Sequence, residues 1–309
     1  MADILAISVP IFLIIGIGYV AVRFGLLARG DMRILGFFVL NIAMPALIVR
    51  ALLQKPLGEV LDGRYLAGYA LASFTVFALV FVTADRLTSS GRARAGLQAL
   101  GAATSNTGFI GYPVAAMALG PTAAVAMAHN FVIENLLILP LGLALAESGR
   151  HAGKTGREIA LETLRGLGRN PLLLALILGA TLAALSVTLP LPLARTVDLL
   201  ASASAPISLF VIGGTLVGVR VGGMAKAVSL VAIGKLVLHP LAVLAVAMLL
   251  PARDPMLVQA MVIFASVPMV TIYPLLGQRY GEEEFCAAAL LVTTTLSFLS
   301  ISAALFFIR

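Results

Sequence analysis

Two stretches of this chain share one template, 161 residues apart. Residues 105–120 read SNTGFIGYPVAAMALG and residues 266–281 read SVPMVTIYPLLGQRYG, each being Ser, six residues, Tyr-Pro, six residues, Gly. Ser105, Tyr112, Pro113 and Gly120 fall on Ser266, Tyr273, Pro274 and Gly281. The same offset carries Pro10 onto Pro171, Gly18 onto Gly179 and Pro45 onto Pro206. A four-residue pattern with three more matches in one register reads as an internal repeat. Each copy sets Pro and Gly inside an apolar segment, the pattern of broken membrane helices around a binding site.

Composition supports a membrane setting. The chain is 61% hydrophobic and 11% charged, where soluble domains carry about 25% charged residues. Its net charge of +7 sits in short loops between apolar runs, which marks orientation rather than nucleic-acid binding. The single cysteine, Cys286, leaves no intramolecular disulfide and no cysteine metal cluster. The first apolar run, 4–22, lacks a basic leader, so a cleaved signal peptide is not expected.

Apolar runs of spanning length fall at about 3–22, 33–53, 65–84, 95–118, 123–145, 171–189, 198–219, 226–250, 256–278 and 285–308. The one long loop splits them into five and five. The expected layout is a first repeat over 1–146, a cytoplasmic loop over 147–170 and a second repeat over 171–309. An odd number of spans per half makes the repeat inverted. Fourteen Lys and Arg fall on the side of the long loop against five on the other. That bias places the loop in the cytoplasm and both termini outside. A short amphipathic helix is expected near 158–167.

Proline is comfortable in the first turn of a helix, so Pro113 and Pro274 are expected to begin the second halves of the fourth and ninth spans. Their N-termini would then face one central space with free N–H groups and the positive end of the helix dipole. Backbone opened at membrane depth is tolerated only inside protein or along a cavity. The candidate substrate-binding residues are Ser105, Asn106, Thr107, Gly108, Tyr112 and Pro113 from one break. Ser266, Thr271, Tyr273 and Pro274 come from the other, and Asn41 and Ser204 from spans two and seven. Small residues along span seven read equally well as close helix packing. Glu134 is the one carboxylate deep in a span, and Lys235 shares its depth, so an intramembrane ion pair is expected. It reads as structural or as a coupling site. His129 and His239 read as hydrogen-bonded packing residues.

Several segments resemble the auxin efflux carrier family, which holds the plant PIN carriers and bacterial members of malonate-carrier type. SNTGFIGYP is similar to that family's fourth-span pattern, and ASASAPISLFVIGGTL to its seventh-span run. NIAMPALI, NPLLLALILG and the Lys-Leu…Pro of span eight fit as well. The resemblance implies an all-α integral membrane protein of ten transmembrane helices in two inverted five-helix repeats. Spans four and nine would be broken and crossed, as in sodium/proton-antiporter-like and bile-acid-transporter-like folds. It implies a scaffold of spans 1, 2, 6 and 7, a moving core of 3–5 and 8–10, and elevator-like carriage of small organic anions. Asn106, Tyr112, Pro113 and Pro274 match the crossover. A homodimer through the scaffold helices is the expected assembly. No cofactor, metal or nucleic acid is expected.

The competing classes are weaker. A cation or proton exchanger wants acidic groups at mid-depth, yet every Asp lies near a span end. A proton- or cation-coupled acid symporter stays open. The chain lacks a His-Glu-x-x-His motif and a mid-depth Asp pair, which argues against an intramembrane enzyme. A channel would differ in transporting without saturation. An anion moved outward alone gains about 2.3 kcal/mol per 100 mV of inside-negative potential, so efflux is the expected direction.

Overall fold

The computed structural model describes residues 2–53, 62–87, 91–148, 168–219, 222–250, 252 and 254–308. The helix expected near 158–167 lies outside these. In chain order the helices are α1 (Ala2–Arg23), α2 (Arg29–Leu53), α3 (Gly63–Leu87), α4 (Gly91–Ala103), α5 (107–119) and α6 (Thr122–Ser148). They continue as α7 (Pro171–Ala184), α8 (Leu191–Thr215), α9 (Ala225–Leu249), α10 (Pro255–Ser266), α11 (Tyr273–Gln278) and α12 (Glu283–Phe307). Among the described residues there is no strand. Six helices there, α2, α3, α6, α8, α9 and α12, are long and apolar enough to cross a membrane. The outer surface carries exposed Leu13, Ile17, Ile34, Leu71, Leu178, Leu199, Leu241 and Leu299. Such a surface suits lipid, and the chain is an all-helical integral membrane protein.

The prolines shape the helices in a regular way. Four π-helical turns occur among the described residues: Val39–Ala43, Thr107–Gly111, Glu134–Ile138 and Gly234–Leu238. Each ends two residues before a proline, namely Pro45, Pro113, Pro140 and Pro240. A proline has no N–H to donate, and its ring collides with the carbonyl four residues back. Widening the preceding turn moves that carbonyl aside without ending the helix. Pro10 and Pro206 sit inside helices with no such turn.

α1 packs along α8, and α7 packs along α2. Both contacts are set by glycine. A β-carbon at Gly18 would fall 2.0 Å from the Phe210 carbonyl oxygen, and one at Gly213 would fall 1.8 Å from that of Ile15. At Gly179 it would stand 2.8 Å from Leu52 Cδ1 and 3.2 Å from Val49 Cα. Backbones this close leave room for hydrogen only. The small residues of span seven at Gly213 and Gly214 are therefore packing residues. On the other side of the molecule α3 packs on α4 and α9, α4 on α6, and α11 on α12.

Candidate functional site

Two helical interruptions meet. The chain leaves helix at 104–106, between α4 and α5, and again at 267–272, between α10 and α11. Asn106 ties them together. Its N–H donates to the Pro268 carbonyl at 2.7 Å, and its Nδ2 donates to Thr271 Oγ1 at 2.9 Å. Its Oδ1 accepts from the Phe109 N–H at 3.2 Å, making Asn106 the N-cap of α5. Asn is among the residues best suited to that position. One side chain thus caps its own helix and clasps the opposite break.

A cavity of about 700 Å³ ends on this junction. Its floor is Thr104, Ser105, Asn106, Thr107 and Gly108 from the first break and Val270, Thr271 and Ile272 from the second. One wall is α2, through Gly36, Phe37, Leu40, Asn41 and Met44, with Val211 of α8. The opposite wall is α6, through Phe131, Glu134, Asn135 and Leu139. Arg29 and Arg33 at the start of α2, Asn170 before α7 and Thr215 at the end of α8 also border it. The amides of Thr107 and Gly108 belong to the first turn of α5 and have no intrahelical acceptor. A polar floor in an apolar shaft, with two guanidinium groups and a helix N-terminus, suits a small anion with an apolar part.

Behind the floor lies a buried polar cluster. Glu134 Oε1 accepts from the Ser105 N–H at 2.9 Å and from Thr107 Oγ1 at 2.8 Å. Lys235 Nζ donates to Ser105 Oγ at 2.7 Å and lies 2.7 Å from His239 Nδ1. His239 Nε2 in turn meets Ser73 Oγ at 3.0 Å, and Tyr69 reaches Ser105 Oγ at 3.0 Å. His129 Nδ1 lies 2.8 Å from the Val125 carbonyl, and its Nε2 accepts the Asp62 N–H at 3.0 Å. Both histidines therefore have each ring nitrogen occupied, as packing residues do.

The placement differs from expectation in specific ways. Among the described residues no ion pair within 4 Å joins Glu134 to Lys235. Equal depth put them at one level but on different sides of Ser105, which bonds to both. Ser105, Asn106, Thr107, Gly108, Thr271, Asn41 and Glu134 border the cavity; Tyr112, Pro113, Ser204, Ser266, Tyr273, Pro274 and Lys235 do not. Pro274 sits in the first turn of α11 as expected, but Pro113 lies in the seventh position of α5. The first break comes earlier because the π turn absorbs the proline. Tyr112 and Pro113 thus fall one turn beyond the floor. Tyr273 is fully buried and donates to the Leu97 carbonyl at 2.7 Å, and Ser266 donates to that of Val262 at 2.7 Å. Ser204 is buried in α8.

The chain matches the family model for membrane transport proteins over residues 4–305. It belongs to that family, the auxin efflux carriers. It is 32% identical to a putative malonate transporter of Rhizobium meliloti (strain 1021), over all of this chain and 97% of that protein. It is 24% identical to the uncharacterized transporter YfdV of Escherichia coli (strain K12), over 94% of this chain and 92% of that one. Membership makes it a membrane transporter and not an enzyme. For such a carrier the cavity residues that the sequence pattern does not single out include Arg29, Arg33, Thr104, Phe131 and Asn170. Arg29 and Arg33 stand four apart at a helix start, a spacing that puts both on one face. In the sequence the same pair reads as an orientation signal.

Proposed function

We propose that this protein carries small organic anions across the cytoplasmic membrane, binding the carboxylate at the junction of the two helical breaks. The observation that carries this reading is the Asn106 clasp at the floor of the cavity. It sets the first-turn amides of α5 beside the Thr271 hydroxyl at the floor of a cavity whose rim carries Arg29 and Arg33. Thr271 accepts from Asn106, so its own proton is free for an anion. The cavity lies between α2, α7 and α8 on one side and 104–109, α6 and 270–275 on the other. In this reading α1, α2, α7 and α8 are the scaffold, and α3–α6 with α9–α12 are the core that slides past them as an elevator. Glycine-locked α1–α8 and α7–α2 contacts suit a rigid scaffold.

An inverted repeat of five spans plus five is part of the same proposal. Gly18 meets Phe210 and Gly179 meets Val49. The glycines are 161 apart in sequence and so are their partners, since 210 − 49 = 161. Equivalent residues make equivalent contacts, as a two-fold relation between halves requires. With the Arg-rich side in the cytoplasm, the cavity bordered by Arg29 and Arg33 opens inward, and the membrane potential drives outward whatever net negative charge is carried. The relative named for malonate makes a dicarboxylate of that size the first substrate to try.

The test is a binding screen of purified protein against mono- and dicarboxylates, malonate included, with the corresponding amides as neutral controls. At least one acid is expected to bind saturably and its amide not. Asn106→Ala should weaken that binding by about 1–3 kcal/mol, the range for a lost hydrogen bond near a charge. Equal binding of acids and amides contradicts the anion reading.

A further inference from the structure

We propose that Glu134 takes up one proton in step with the anion, so that the protein is a proton–anion symporter with Lys235 as its fixed counter-charge. This rests on the anion-carrier reading and adds the coupling ion to it. Among the described residues Glu134 is the one acidic residue that borders the cavity, beside the floor proposed to hold the carboxylate. Its Oε1 already accepts two hydrogen bonds, while Oε2 receives none from the described residues. An anion arriving at the floor meets the charge of Glu134, which borders the same cavity. Two negative charges that close in a low-dielectric site do not both persist. The repulsion is relieved when a proton from the water on the open side bonds to the carboxylate oxygen. The acid is then neutral, and anion and proton leave together on the far side.

The groups that face Glu134 are few. Lys235 comes from α9, with His239 behind it, and Tyr65 and Tyr69 come from α3; Arg29 and Arg33 border the same cavity. On its own helix His129 is turned toward Asp62. Lys235 is completely buried and held between Ser105 and His239. It does not reach the cavity, so it balances the Glu134 charge without competing for the substrate. The same ammonium argues for a proton rather than a metal cation as the coupling ion. A sodium ion needs several oxygens free to surround it. Here Ser105 Oγ, the hydroxyl nearest the carboxylate's backbone partner, is already taken by a positive charge. Among the described residues no group of three acidic, His or Cys side chains is placed to hold a metal.

The experiment uses the full chain in vesicles that contain a pH dye, with potential clamped at zero by potassium and valinomycin. Each acid of the screen, malonate first, is tested for counterflow, and those that exchange are used further. Protein-free vesicles correct for passive entry of undissociated acid. With an inside-alkaline gradient of one pH unit the transported acid is expected to accumulate about tenfold, the equilibrium factor for one proton per anion, and the lumen to acidify with it. In Glu134→Gln both the accumulation and the acidification should vanish, whatever the residual rate. Glu134→Asp, which keeps a titratable group, should restore acid-driven accumulation. Transport by the natural protein without proton movement overturns the proposal, as does proton coupling that survives in Glu134→Gln. Absence of counterflow for every acid instead overturns the anion-carrier reading itself.

Discussion

Lys235→Met alone is expected to destabilise the protein by about 3 kcal/mol, the low end of the 3–5 kcal/mol seen when one member of a buried charge pair is removed. The low end applies because Ser105 stands between Lys235 and Glu134. Methionine fills much the same volume, so the loss is electrical rather than a cavity. Ser105 Oγ and His239 Nδ1 lose their donor, and the Glu134 carboxylate loses its counter-charge. Adding Glu134→Gln removes the orphaned charge while retaining an acceptor for the Ser105 amide and Thr107 hydroxyl. The double variant should therefore be more stable than Lys235→Met by at least about 1 kcal/mol. Denaturant unfolding in mixed micelles measures this cycle. Additive losses would show that the two charges do not sense each other across Ser105.

The second large effect is expected at Gly18. Gly18→Ala places a methyl group 2.0 Å from the Phe210 carbonyl oxygen, and neither backbone can yield without separating α1 from α8. A loss of about 3 kcal/mol or more is expected, at the upper end for overpacked sites. Gly16, two residues earlier on the same helix, is exposed and has nothing within 4 Å of its would-be β-carbon. Gly16→Ala should be neutral or raise stability by up to about 1 kcal/mol, since alanine is the better helix former. Thermal unfolding of the two variants side by side separates close packing from helix propensity. Equal effects would mean that the α1–α8 contact does not hold the fold together.

Much of this was legible in the sequence because membrane helices announce themselves by length and polarity. The 105–120 and 266–281 template located both interruptions, and Ser105, Asn106, Thr107, Gly108 and Thr271 do border the cavity. Proline was the weaker guide. At Pro45, Pro113, Pro140 and Pro240 a π turn takes up the steric conflict within a continuous helix, whereas Pro10 and Pro206 sit in helices without one. The first break therefore comes one turn before Pro113, and Tyr112 and Pro113 lie beyond the cavity floor. Tyr273 shows a second limit. A tyrosine beside a break can turn toward substrate or toward protein, and the buried Leu97 carbonyl decided it. Glu134 and Lys235 were matched by depth alone, which gives height along the membrane normal but not position around it. Arg29 and Arg33 were hidden because orientation signals and rim cations are the same residues.

The π turns carry one further consistency. Asn41, Thr107, Gly108, Glu134 and Lys235 all fall within them, and π turns recur at functional positions because they re-aim side chains and free carbonyls. Four helices thus deliver their polar groups to one region by the same device.

The cavity over the Asn106 clasp is proposed to carry organic anions. Counterflow tests it most directly: vesicles holding the purified protein and unlabelled malonate or another acid of the screen are diluted into trace labelled acid. The account predicts that label rises transiently above its equilibrium level, that protein-free vesicles show no such overshoot, and that Asn106→Ala needs a higher concentration of acid to reach half the maximal rate. No overshoot for any acid, or an unchanged half-saturating concentration in Asn106→Ala, would contradict it.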